Sequence, residues 1–189
     1  MMAPNISGKK VAFIATTGVE QSELAQPWKA VTDAGGEPTL ISLEPGTVTS
    51  LKFDWDRGED FEVDLEITAA NPDDYQALVL PGGTLNADAL RTSTEVRTFV
   101  RAFFDQHKPV AAICHAPWIL IDAGVVDGRR MTSVKSVEID LKNAGADWVD
   151  EEVVVDAGLT TSRTPADLAA FCAKVVEEIA EGKHSGQTA

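Results

Sequence analysis

The chain has 189 residues, 44% of them apolar and 24% charged, with 16 Lys and Arg against 30 Asp and Glu for a formal net charge of −14. That length fits one domain with a sizeable core, expected here over residues 1–189. The acidic balance argues against a protein that follows nucleic-acid phosphates or rests on an anionic membrane. Met1 to Lys10 is polar and lacks the apolar stretch of a secretory signal, and no apolar run approaches the roughly 18 residues of a membrane helix. Two cysteines, Cys114 and Cys172, do not make a disulfide framework; both are expected reduced, in a cytoplasm.

Strand and helix signals alternate along the chain. Lys10 to Ala15 is an apolar run of strand length. A helix is expected from about Ser22 to Ala34, closed by Gly35-Gly36, with Pro27 marking a kink or a later start. Thr39 to Leu43 reads as the second strand. Residues 44 to 70 are polar, with short alternating stretches that suggest a small antiparallel hairpin. Ala77 to Leu80 is a short buried strand ended by Pro81-Gly82-Gly83. A helix from Thr94 to Gln106 places Val96, Phe99, Val100 and Phe103 on one face. Pro109 to Ile113 is another buried strand, leading directly into a helix that opens at Cys114 and stops at Gly124. A helix near Val137 to Ala144, short strands around Glu152–Val155 and Leu159–Ser162, and a last helix capped by Thr164-Pro165 complete the pattern. Residues 181–189 read as a flexible tail outside an ordered core of about 9–180. Buried apolar strands alternating with helices indicate an α/β fold, a mostly parallel sheet with helices on both faces.

Ala112-Ile113-Cys114-His115-Ala116 carries the chemistry. A nucleophile on a sharp strand-to-helix turn needs small residues two before and two after it, and both are Ala here. The free N–H groups at a helix N-terminus favour a thiolate, so the thiol is expected below the ~8.5 of free cysteine. The N–H of His115 is placed to hold an oxyanion. Gly82 and Gly83, also at a strand's C-terminal end, allow close backbone approach and offer further donors. The alternatives are a buried core cysteine and a plain turn. Adjacent side chains rarely face each other, so activation of Cys114 by His115 looks geometrically difficult. Cys172 falls on one helical face with Leu168, Phe171, Val175 and Ile179 and reads as core. His107 and His184 read as surface residues, and Trp118 as helix packing. No metal-ligand spacing, phosphate loop or dinucleotide fingerprint is present.

Gly18-Val19-Glu20-Gln21-Ser22-Glu23-Leu24, Ala77 to Gly83, Pro109 to His115, Lys142 to Ala146 and Trp148 to Asp156, in that order, resemble the ThiJ/PfpI superfamily. The likeness is to its intracellular-protease-like branch, which includes bacterial general-stress members. It implies a flavodoxin-like fold of the class I glutamine amidotransferase type. It implies Cys114 as nucleophile, Glu20 as the acid beside it and His115 as a further catalytic residue, with Gly82, Gly83 and His115 around the oxyanion and substrate. It implies no cofactor and no metal. In the family's account of peptidase activity an acidic residue from a neighbouring subunit orients the His; the corresponding position here is Ala87, followed by Asp88, which puts peptidase activity in doubt. Ala116 departs from the usual Gly but stays small. The implied substrates are glyoxal, methylglyoxal or their protein adducts, or else peptides and proteins, and the implied assembly is a homodimer or hexamer. A non-enzymatic role as an oxidation sensor or holdase uses the same thiol.

Overall fold

The structure, a computed structural model, describes residues 4–189. In chain order its strands are β1 (Lys10–Ile14), β2 (Glu37–Ser42), β3 (Thr47–Lys52), β4 (Asp56–Glu62), β5 (Leu65–Glu66), β6 (Ala77–Leu80), β7 (Val110–Ile113), β8 (Arg130–Met131), β9 (Asp147–Trp148), β10 (Val153–Asp156) and β11 (Leu159–Ser162). Its helices are α1 (Gln21–Asp33), α2 (Thr84–Thr92), α3 (Thr94–Asp105), α4 (Pro117–Asp122), α5 (Glu138–Asn143) and α6 (Leu168–Glu181). Seven strands form one sheet in the order β10-β11-β7-β6-β1-β2-β5. Its pairings are parallel except that of β10 with β11. This is the mostly parallel arrangement expected from the apolar strand runs, and the flavodoxin-like one that the resemblance implies.

The pleat divides the core in two. Ala12 and Ile14, Leu78 and Leu80, and Val110 and Ala112 point to one face, where Leu90, Phe103, Ile119 and Leu141 of α2 to α5 cover them. The alternate residues Val11 and Phe13, Ala77 and Val79, and Ala111 and Ile113 point to the other, under Leu24 and Val31 of α1 and Phe171, Val175 and Ile179 of α6. Strand residues alternate sides with a period of two, so a run buried on both faces must be apolar throughout. β2 and β6 flank β1 on opposite sides, so the chain reverses its direction across the sheet at β1. The crevice beyond the C-terminal ends of β1 and β6 lies at that switch point.

Several expectations need correction. α1 begins at Gln21 and runs through Pro27 without a break. Pro27 is buried on its inner face, and packing there outweighs the lost backbone bond. The stretch 84–92 is a helix that the apolar pattern does not announce. Thr164 makes no side-chain cap; a 3-10 turn over Pro165–Asp167 precedes α6. Cys172 is only half-buried, beside the core rather than in it. The C-terminal tail is packed: Gln187 is fully buried, its amide donates to the carbonyl of Lys108 at 2.9 Å, and Arg129 donates to the carbonyl of Thr188. Such anchors are backbone carbonyls of distant segments, which composition does not reveal. His107 and His184 are part-buried by the same contacts. Among the described residues no helix is long and apolar enough to cross a membrane.

Candidate active site

The ends of β1, β6 and β7 converge on Cys114. Its φ is +63°, a left-handed conformation that costs a residue with a Cβ roughly 1–2 kcal/mol. Ala112 and Ala116, two residues either side, are completely buried, and larger side chains there would collide with the turn. The turn is pinned by the Cys114 N–H donating to the Ser162 carbonyl at 3.1 Å and the Val134 N–H donating to the Cys114 carbonyl at 3.0 Å. α4 starts only at Pro117, so Cys114 sits in a turn before the helix and not at its first residue. The backbone N–H groups of Gly83 and His115 lie near the Cys114 side chain and favour its charged form.

The carboxyl beside the thiol belongs to Glu23 and not to Glu20. Glu23 is completely buried. Its Oε2 accepts the Gly82 N–H at 3.0 Å, its Oε1 is buried without a hydrogen-bond partner, and the carboxyl lies close enough to Cys114 for each to shift the other's titration. The site closes tightly around Gly82, where an added Cβ would stand 2.4 Å from Glu23 Oε2 and 2.7 Å from Cys114 Cβ. The Gly82 N–H is therefore spent on Glu23, and of the two glycines only Gly83 offers a donor to sulfur. Glu20 is also buried, but its carboxylate turns to the β3–β4 hairpin, accepting the Phe53 N–H at 2.7 Å and the Ser22 hydroxyl at 3.0 Å. Glu20 precedes the first helical residue in extended conformation, so its side chain leaves the helix's inner face. Glu23 lies on that face with Leu24, Pro27 and Val31. The phase of α1 is the signal that sequence reasoning passed over.

Burial raises the Glu23 carboxyl, and the nearby Glu20 adds to it, bringing its pKa to about 8. The carboxyl is thus largely protonated at neutral pH, although the neighbouring thiol and the Gly82 N–H partly oppose the rise. Cys114 moves opposite to expectation. Burial first, and the Glu23 charge second, push the thiol up, while the N–H groups of Gly83 and His115 pull it down. Two groups this close titrate as a pair: while one carries charge, the other is held neutral.

His115 does face Cys114, contrary to expectation, with Nδ1 3.2 Å from Sγ. Burial keeps the imidazole below its usual pKa, with Asp54 partly opposing. The His115 ring nitrogens lie 3.3 and 3.5 Å from the Thr84 hydroxyl, which donates to Asp54 Oδ2 at 2.9 Å. The Thr84 N–H donates to Asp54 Oδ1 at 2.9 Å. Ser136 and the ring of Trp118 complete the surroundings of His115, so Trp118 borders the site. Ala87 is buried in α2 and Asp88 is exposed on it; the acid near His115 comes instead from the hairpin turn. Asn86, fully buried, braces the loop by donating to the Pro81 and Gly82 carbonyls at 3.0 and 2.9 Å and accepting the Thr16 N–H at 2.7 Å. Thr84, Asn86 and Asp54 carry no local motif, since each gains its partner only through the fold.

Residues 9–178 match the DJ-1/PfpI family. The chain belongs to that family. It is 40% identical over 168 residues to a deglycase of Pyrococcus horikoshii, covering 89% of this chain and 98% of that one. It is 44% identical over 165 residues to protein/nucleic acid deglycase 2 of Escherichia coli, covering 86% and 93%. Among solved structures, DJ-1beta of Drosophila melanogaster superposes with a TM-score of 0.83 at 29% identity, covering 95% of this chain and 91% of that one. A cysteine on a left-handed turn at the switch point of a parallel sheet, with a protonated carboxyl at its side, is what this chain places at the centre of the family's fold.

Proposed function

We propose that this protein is a cysteine-dependent enzyme acting on glyoxal, methylglyoxal or their adducts with protein amines and thiols. The observation that carries the reading is the fully buried Glu23 carboxyl, held beside Cys114 by the Gly82 N–H and raised to about 8. A neutral carboxylic acid against sulfur is a proton donor placed where an aldehyde oxygen gains charge. The left-handed turn serves as a nucleophile elbow, presenting sulfur to the crevice. Two relatives named as deglycases support the substrate class.

In the first step the Cys114 sulfur forms a bond to the aldehyde carbon as its S–H bond breaks. The carbonyl π pair moves onto oxygen, where the N–H groups of Gly83 and His115 receive it. The Glu23 carboxyl gives its proton to that oxygen and takes up the thiol proton in its place, leaving a hemithioacetal and a neutral carboxyl. His115, neutral and 3.2 Å from sulfur, is placed to accept the proton on the adjacent carbon and return it to the neighbouring carbonyl. That shift oxidises one carbon and reduces the other. Water cleaves the resulting thioester to the 2-hydroxy acid and the free thiol. No outside oxidant or reductant enters.

Methylglyoxal loss, followed without glutathione, tests the reading. Cys114→Ala is expected to abolish it, and Glu23→Gln to cost about 10²–10⁴-fold. Glu20→Gln is expected to stay within about threefold, because its carboxylate faces the hairpin. Equal loss in all four proteins, or none in any, removes the proposal.

The Asp54–Thr84–His115–Cys114 chain of contacts favours a second reading, acyl transfer from peptides, in which His115 draws the thiol proton. Absence of peptide cleavage by the assembled protein across the pH range removes it. We also infer that the protein assembles as a homo-oligomer.

A further inference from the structure

A second cluster lies beside the N-terminal ends of β1, β7 and β11, at the opposite end of the strands from Cys114. Glu178 and Glu181 stand one turn apart at the end of α6. Gly182, with φ +89°, then ends the helix and returns the chain so that His184 faces them. The His184 N–H, donating to the His107 carbonyl at 2.9 Å, holds that return in place. One ligand atom from each of the three side chains lies within 4.8 Å of the others. Glu178 is only 6% exposed. Its Oε2 stands 3.1 Å from Nε2 of His184, yet neither buried atom makes a hydrogen bond. A direct pair would aim the ring N–H at the oxygen; here that hydrogen bond is not made and both buried atoms are left without a partner. Two buried polar atoms left this way each keep an uncompensated desolvation penalty.

Electrostatics add to the argument. The last turn of α6 has no basic residue, although carboxylates at this negative end of the helix dipole are unfavourable. Lys174 is taken up by Glu177, and Lys9 donates to the carbonyls of Ile179 and Ala180. Among the described residues no Lys or Arg forms an ion pair with Glu178 or Glu181.

We propose that Glu178, Glu181 and His184 bind one divalent transition-metal ion, zinc fitting best, that fastens the C-terminal tail to α6. Donors about 2.0–2.2 Å from a tetrahedral ion stand roughly 3.3–3.6 Å apart, a little wider than the 3.1 Å between the Glu178 and His184 atoms. One imidazole nitrogen with carboxylate oxygens suits zinc better than calcium or magnesium, which take oxygen ligands. A water completes the fourth position. Two ligands come from the helix and the third from the tail, so the ion closes a loop that the tail's own contacts at Gln187 and Thr188 extend.

The test uses the full chain carrying Cys114→Ser, freed of metal with a chelator, so that the reactive thiol takes no part. Titration with zinc chloride by calorimetry should show one equivalent bound. Thermal melting should shift up by roughly 5–10 °C at zinc about 100-fold above its Kd. Glu178→Gln, His184→Ala and Glu181→Gln should each weaken zinc binding at least about tenfold. Glu181 is exposed, so its substitution leaves folding intact and separates ligand loss from misfolding. No heat of binding at millimolar zinc, or binding that survives all three substitutions, would overturn the proposal.

Discussion

Cys114 and Glu23 share a problem that neither has alone. Each is buried, each is acidic, and charge on either opposes charge on the other. Glu20 contributes to the same balance from the hairpin side, so its charge tunes Glu23 without touching sulfur. Replacing Glu23 by Gln removes both influences that Glu23 exerts upward on the thiol. The alkylation rate of Cys114 with iodoacetamide should then reach its midpoint at lower pH than in the parent protein; a midpoint that stays or rises would contradict the pairing. The same carboxyl links stability to pH. Its pKa is raised from 4.5 to about 8 on folding, so the folded state holds a proton that the unfolded chain gives up. The stability it contributes is fully present below about 4.5 and is lost as pH rises through about 8. Melting curves taken across that window should show a decline that Glu23→Gln flattens. An unchanged slope in the variant would place the proton elsewhere.

At the scale of elements, the site is made by a loop and a hairpin that lock against α1. The hairpin joining β3 and β4 turns through Phe53 and Asp54, with φ of +56° and +61°. Two successive left-handed residues match the twist of a tight hairpin, but at positions where Gly or Asn would be easier. Their partners hold them: the Phe53 N–H bonds Glu20, and the Asp54 carboxylate bonds Thr84. Strain maintained by site residues fits a functional turn. Thr84→Val keeps the shape and removes the hydroxyl between Asp54 and His115. Turnover should fall about tenfold with KM little changed, whereas an unaltered kcat would make the contact purely structural. Gly82→Ala tests the packing of the loop. Its new Cβ would meet Glu23 Oε2 at 2.4 Å and the Ile113 carbonyl at 2.7 Å. About 1–3 kcal/mol of stability should be lost in urea unfolding, together with activity; full stability would mean the loop moves freely. Gly82 and Gly83 were legible as a close-approach turn in the sequence. Asn86 behind them was not, because its three backbone partners come from two separate loops.

Across the whole molecule, the tip of the β3–β4 hairpin leaves Phe53 76% and Trp55 88% exposed beside the crevice. Large aromatics in water next to a site fit burial by a second copy of the chain, consistent with the assembly inferred above. Trp55→Asp should reduce the mass measured by light scattering, and an unchanged mass would assign the tip to solvent or substrate. The parallel sheet itself was readable because each central strand, covered on both faces, must be an unbroken apolar run of four or five residues. α2 was not, since Asn86, Ala87 and Leu90 are its buried residues and so polar a face carries no apolar period. Cys114 was likewise written locally, by a strand before it and small residues at equal distances on either side. The identity of its acid was not: Glu20 and Glu23 are both glutamates in the same loop-to-helix segment, and only the seating of α1 against Gly82 turns one toward sulfur and the other toward Phe53. The order of the C-terminal tail and the meeting of Glu178, Glu181 and His184 depend in the same way on contacts between segments far apart in the chain. Burial patterns and backbone strain are imposed residue by residue and can be read in order, whereas a side chain's partner is set by where the folded backbone carries it.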